Sequence, residues 1–256
     1  MEEQKKVILD AGHGGVEPGA VYQGRQEKDD NLNLALAVGQ ILEDSGVDVA
    51  YTRVTDVYNT PVEKAEIANR SGADYFVSLH RNAMDVPGSA SGSMTLVYDY
   101  SGVPAMMANN INSELEVAGF NDLGVSERPG IIVLRRTKMP AVLVEAGFID
   151  NEDDNRLFDQ NFDQIAQGIA NGILTTINEE TQTQPTYYQI QVGAYPDRGQ
   201  AVELENQLKS QGFPAWLKYE DGLYKVRVGA YLNVDNAARM EQTLKNYGYT
   251  TYMVKG

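Results

Sequence analysis

Residues 7–15 read VILDAGHGG, an apolar run that ends on an acid and then a histidine set among glycines. The arrangement recurs in YFVSLHRNA at 75–83 and in PAVLVEAGF at 140–148. Apolar runs this short, bounded by glycine or polar residues, read as strands buried on both faces of a sheet. Working outward, further strands are expected at 47–52, 93–98 and 131–134. Helices are expected at 61–69, 104–117 and 161–177. Another helix opens at Asp29 and Asp30, lines up Leu34, Val38, Ile41 and Leu42 on one face, and ends near Gly46. Such alternation predicts an α/β fold, a mostly parallel sheet with helices on both faces. These folds place their chemistry just past the carboxyl ends of the strands. His13 and His80, the only two histidines of the chain, fall there, and so does Glu145. Two imidazoles and a carboxylate brought to one sheet edge point to a metal site.

Composition narrows the function. The 256 residues carry a net charge of −15 and no cysteine. Disulfides, thiolate metal knots and thiol catalysis are excluded. The acidic balance argues against a nucleic-acid partner. No apolar run approaches the roughly 18 residues of a membrane span. The start, MEEQKKVILD, has no apolar h-region. The expectation is a protein made without a signal peptide. Charge is uneven: residues 1–185 hold 13 basic and 29 acidic side chains, and the remainder is near neutral. With the polar stretch NEETQTQPT, Asn178 to Thr186, this predicts a first domain over 1–178, a linker over 179–186 and a second domain over 187–256.

The second domain repeats itself. YYQIQVGAYPDRGQAVELENQLKSQGFPAWLKY is followed by LYKVRVGAYLNVDNAARMEQTLKNYGYTTYMVK, with VGAY at Val192 and again at Val228. Each half reads strand, helix, strand, which predicts a small α+β ferredoxin-like βαββαβ domain. Tyr188, Ile190 and Val192 point toward the helices, and Gln189 and Gln191 point onto the open face. Lys225 and Arg227 take equivalent outward positions, and Trp216 corresponds to Tyr252. These six residues are the candidate ligand platform. The same topology also serves RNA recognition, but the RNA readers' basic-aromatic strand is missing.

DAGHGG at 10–15, QEKDDNLNLALA at 26–37, SLHRNA at 78–83 and PAVLVEAGFIDN at 140–151 together resemble the zinc-dependent N-acetylmuramoyl-L-alanine amidases. The resemblance covers about residues 4–178. The tail, about 186–255, resembles the sporulation-related repeat (SPOR) domain. The first resemblance implies cleavage of the amide between muramic acid and L-alanine in peptidoglycan, with Zn²⁺ held by His13, Glu27 and His80 and with Glu145 as the catalytic glutamate. The second implies binding of glycan strands, and the two together imply action at the cell wall, reached after mother-cell lysis or by non-classical release. A catalytic zinc keeps three protein ligands and an open position, which suits this set. Gly12, Gly14 and Gly15 are expected to allow a tight turn and close substrate approach, and Asp10 or Asn82 to orient a ligand imidazole. Ala11 and Lys64 depart from the family pattern and are not expected to touch the metal site. The gap from Asn82 to Ser93 is short and rich in glycine and serine, so the site is expected to be open and to need no activator protein. A zinc peptidase acting within the stem peptide is the alternative enzyme. A binding protein with a structural metal would need a fourth ligand.

Overall fold

The computed structural model describes residues 4–183, 187–231 and 233–255. The chain divides into two compact units, Met1–Thr181 and Gln182–Gly256. In the first, the elements are β1 (Lys6–Ala11), β2 (Val21–Tyr22), β3 (Arg25–Gln26), α1 (Glu27–Asp44), β4 (Asp48–Tyr51), α2 (Pro61–Arg70), β5 (Tyr75–Asn82), β6 (Ser93–Val97), α3 (Gly102–Val117), β7 (Asp122–Glu127), α4 (Ile132–Arg136), β8 (Ala141–Phe148), α5 (Glu152–Gln160) and α6 (Phe162–Thr183).

The main sheet has the order β4-β1-β5-β8-β6-β7. The first four strands run parallel, while β6 meets β8 antiparallel and carries β7 parallel to itself. Side chains alternate across each strand, and both sides are apolar. Val7, Leu9, Val77, Leu79, Val142 and Val144 pack beneath α1, α3 and α6. Ile8, Phe76, Ala141 and Leu143 pack beneath α2 and α4. Helices therefore cover both faces, as the buried strands require. α2 starts where it does because Thr60 and Glu63 form a reciprocal capping box and Pro61 opens the first turn.

Three expectations are corrected. The run at 131–134 is helical: Val133 and Leu134 bury against Leu96 and Leu143 on the sheet face instead of joining its edge. Periodicity cannot separate strand from buried helix in so short a run. α1 begins at Glu27, two residues before Asp29. The stretch 179–183 assigned to the linker is the end of α6, where Tyr75 donates its hydroxyl to Glu180. Linker positions 184–186 lie outside the described residues.

In the second unit the elements are β9 (Tyr188–Tyr195), α7 (Arg198–Ser210), β10 (Ala215–Glu220), β11 (Leu223–Tyr231), α8 (Val234–Asn246) and β12 (Tyr252–Lys255). The order β10-β11-β9-β12 is antiparallel throughout. Ile190, Val226 and Val228 bury against Ala201, Leu208, Ala237 and Leu244 of the two helices, with Tyr188 and Val192 packed beside them. The expected inward set is thus the core of this unit.

Candidate metal centre

Register brings the site together. Asp10 lies beside Ser78, and His80 beside Glu145, along neighbouring parallel strands. Registered neighbours project from the same face, here the one that α2 and α4 cover. Glu27 arrives from elsewhere, as the first residue of α1, which packs on the opposite face. It reaches over the carboxyl edge of the sheet and stands between the two imidazoles. His13 Nε2 lies 3.0 Å from Glu27 Oε2, and His80 Nδ1 lies 2.9 Å from Oε1. The two rings are edge to face with centroids 4.9 Å apart. Donor atoms of His13, Glu27 and His80 all fall within 4.8 Å of one another. Two nitrogens and a carboxylate oxygen at this spacing fit a small divalent cation that takes N and O donors, and zinc is the common one.

The chain fixes each of the three donor groups. Glu27 is 4 % exposed and accepts hydrogen bonds from the backbone of Ala20 at 2.9 Å and Arg81 at 3.1 Å, and from Asn31 Nδ2 at 3.1 Å. Burial alone would raise its carboxyl, but its hydrogen bonds from His13 and His80 and the charge on those rings outweigh that and hold it far below the usual range. His13 sits at φ 60, a left-handed conformation that non-glycine residues rarely adopt. Two buried cations clamp the turn that carries it. Lys64 Nζ donates to the Ala11 carbonyl at 2.7 Å, and Arg53 donates to the Ala11 carbonyl at 3.1 Å and the Gly12 carbonyl at 2.9 Å. The turn closes through paired backbone bonds between Gly14 and Glu17, which carries the Glu17 carboxylate to His13 Nδ1. A carboxylate on the outer nitrogen fixes ring orientation and leaves Nε2 facing the other ligands. Burial would lower the His13 pKa, but Glu27 and Glu17 raise it to about 9.

Two glycines are required by this packing. A Cβ on Gly12 would stand 2.4 Å from His80 Cε1, and one on Gly19 would stand 2.5 Å from Glu27 Oε2. The orienting role expected of Asp10 or Asn82 is not found. Asp10 instead accepts from Lys64 at 2.9 Å, Thr52 at 2.6 Å and Ser78 at 2.7 Å. Burial pushes its pKa up, but the Lys64 charge and these hydrogen bonds prevail and lower it. Asn82 accepts from the Ala83 backbone and faces Met94. Lys64, expected to stand apart, lines the same cleft as His13 and His80. That cleft measures about 330 Å³, and its opposite wall is apolar, built from Ile131, Ile132, Val133 and Leu143.

Glu145 belongs to none of these bonded networks. Its residue is partly exposed, yet Oε2 is sealed from solvent and has no hydrogen-bond partner. Burial, only partly offset by the nearby rings, pushes its pKa up to about 7. A carboxyl poised near neutrality beside a cluster of metal donors is suited to accepting and returning a proton. Sequence reading missed Glu17, Arg53, Asn31 and the Lys64 clamp. Glu17, Arg53 and Lys64 act through a turn or a crossover that no local pattern encodes, while Asn31 meets Glu27 one turn along α1.

In the second unit, register aligns Trp216, Arg227, Gln191 and Tyr252 in one row across all four strands. Tyr252 is 65 % exposed. Gln189 and Arg227 are buried, contrary to the expectation of an open amide and cation. Arg227 lies along the sheet, donating to Gln189 at 2.7 Å and Glu220 at 2.6 Å, with its guanidinium 5.9 Å from the Trp216 ring centroid. Its Nε is buried without a partner. Lys225 pairs with Glu220 and Asp221 at 3.1 and 2.8 Å.

Comparison with known proteins agrees with this architecture. Residues 7–175 match the N-acetylmuramoyl-L-alanine amidase family, and residues 184–255 match the SPOR domain. The sporulation-specific N-acetylmuramoyl-L-alanine amidase of Bacillus subtilis is 35 % identical over 222 residues, covering 84 % of this chain and 85 % of its own length. An N-acetylmuramoyl-L-alanine amidase of Bacillus licheniformis is 36 % identical over the same shares. Among solved structures, an N-acetylmuramoyl-L-alanine amidase from Clostridium difficile superposes with a TM-score of 0.66 at 30 % identity, covering 69 % of this chain and 98 % of its own. The CwlD amidase of Clostridioides difficile, solved in complex with the GerS lipoprotein, gives 0.63 at 30 % identity, covering 69 % of this chain and 100 % of its own. Two histidines, a buried glutamate between them and a second, unbonded glutamate on the next strand thus belong to a chain that is a member of the N-acetylmuramoyl-L-alanine amidase family and carries a SPOR domain behind its catalytic unit.

Proposed function

We propose that this amidase cuts the bond between N-acetylmuramic acid and L-alanine with one zinc ion held by His13, Glu27 and His80, and that Glu145 moves the proton. The observation that carries this reading is the unpartnered Glu145 oxygen beside three converging donors. When bound, zinc supplies Lewis acidity, which lowers the pKa of a water to about 7 and polarises a carbonyl. The chain does the rest. Glu17 and the Lys64–Arg53 clamp hold His13 in its left-handed turn. Glu27, fixed by its backbone and Asn31 bonds, keeps both imidazoles on one side. Glu145 accepts the proton from the attacking water and returns it to the leaving amine of L-alanine.

The second unit would bind glycan strands through the row Trp216, Arg227, Gln191 and Tyr252, with Gln189 and Lys225 holding the guanidinium and its acidic partner in place. Aromatic faces beside hydrogen-bonding groups suit sugar rings. We also propose action without an activator. Residues 83–92 contain no helix that would block the ligands. The CwlD–GerS complex shows that a relative is found with a partner, so the point needs its own test. Purified full-length protein with zinc should digest bare sacculi. Digestion only after adding a second protein would overturn this part, and no metal-dependent release of lactyl carboxyl groups would overturn the whole reading.

A further inference from the structure

We infer that Arg135 and Arg136, at the end of α4, form the peptide-binding edge of the cleft and hold carboxylates of the stem peptide. The inference rests on the amidase reading above and adds which side of the substrate lies where.

The sequence sets the contrast. The stretch 128–138 holds four cations and no acid, within a region of 13 basic and 29 acidic residues. Arg128 is turned back onto Ser126 and the Glu127 carbonyl. Arg135 and Arg136 are exposed at the last turn of α4, and neither meets a carboxylate among the described residues. The buried cations behave differently: Lys64 is paired with Asp10, and Arg81 with Asp30. Ile131, Ile132 and Val133 of the same segment line the cleft that His13 and His80 close. Helix positions three and four apart are neighbours, so Arg135 and Arg136 flank Ile132. The apolar wall is thus followed, one turn further along α4, by two exposed guanidinium groups with no carboxylate partner among the described residues.

The substrate is charged on one side only. The scissile amide joins the lactyl carboxyl to the amine end of the peptide. The lactyl acid is consumed in that bond, so the sugar side is neutral there. The peptide runs away from the bond toward its own carboxyl end and so carries at least one carboxylate. An acidic surface repels that end, and two arginines attract it. Guanidinium groups also match carboxylates with two parallel hydrogen bonds. The peptide therefore lies over α4, and the glycan leaves by the opposite side.

The test uses the zinc-loaded full chain and two N-acetylmuramoyl peptides, one with free and one with amidated carboxylates. The wild type should cleave the free form with about tenfold higher kcat/KM through a lower KM. That preference should shrink as salt rises. Arg135→Glu with Arg136→Glu should abolish it, and the milder pair Arg135→Gln with Arg136→Gln should reduce it where charge reversal impairs folding. Equal use of both substrates by the wild type, or a preference that survives both double variants, would overturn the inference. So would variants that keep the preference while losing retention on polyphosphate, since the edge would then take phosphate polymers. Failure of the wild type to cleave either peptide would instead count against the amidase reading itself.

Discussion

The two units differ in how far they bury the polar side chains of their candidate sites. In the catalytic unit, charge is drawn inward and pinned: Glu27, Asp10, Lys64 and Arg53 are all under 8 % exposed, and each is bonded to named partners. Beside the two histidines, Glu145 Oε2 is left buried without a partner. In the SPOR unit Arg227 is buried and bonded too, but its row runs along a sheet face and ends on Tyr252, which is largely exposed. A reaction needs few groups at fixed distances in a desolvated pocket. A polymer-binding face can spread modest contacts over several residues. The contrast predicts that single substitutions act sharply in the first unit and gradually in the second.

The largest effect should come from Glu145→Gln. Removing the proposed proton carrier should lower kcat by about 10³-fold while thermal unfolding of the first unit stays the same or improves, because a buried carboxyl without a partner is lost. A variant that unfolds, or that keeps full activity, would break the comparison. Next is Lys64→Met. It leaves Asp10 buried without its cation and should cost about 3 kcal/mol, measured by denaturant unfolding. It should also weaken zinc binding in a chelator competition, with Lys64→Arg restoring part of both.

The same pair gives a pH dependence. The Asp10 pKa is lowered in the folded state. Its contribution is therefore fully present above the unfolded value of about 3.9 and is lost as pH falls through the lower folded value. The wild type should lose stability in that acid window, and Asp10→Asn should flatten the loss. The smallest effects belong to the second unit. Trp216→Ala or Tyr252→Ala should each reduce retention on sacculi by about three- to tenfold, which matches losses of roughly 1 kcal/mol, and leave cleavage of a short muramoyl peptide unchanged. Loss of all retention from one such substitution would mean that this face, too, concentrates its energy in one residue.

The parts that were legible in sequence share a cause. VILD, YFVSL and AVLV are buried on both sides, so their composition alone marks them as strands, and His13, His80 and Glu145 follow them within three residues. Polar elements escaped: β7 (DLGVSE) is an edge strand and α5 (EDDNRLFDQ) a surface helix, and neither has an apolar period to read. IIVL was misread because four apolar residues fit either element. In the site, His13 just past β1 could be located, and so could His80 and Glu145, although β5 and β8 run on past them to Asn82 and Phe148. Glu27 needed the family motif, because a glutamate at a helix start is usually only a favourable charge. Glu17 and Arg53 depend on a left-handed histidine turn, which the sequence does not announce. Arg227 was expected to be open and is buried, because its reach lets it lie against Gln189 and Glu220.

The central claim is most directly tested by measuring bound metal and reaction products together, on full-length protein digesting purified sacculi. One zinc per chain is expected, lost in His13→Ala and His80→Ala. Digestion should expose free lactyl carboxyl groups and new L-alanine amino termini in equal amounts, with the glycan intact. Peptides shortened from within, or digestion that continues at full rate with no metal bound, would contradict the account.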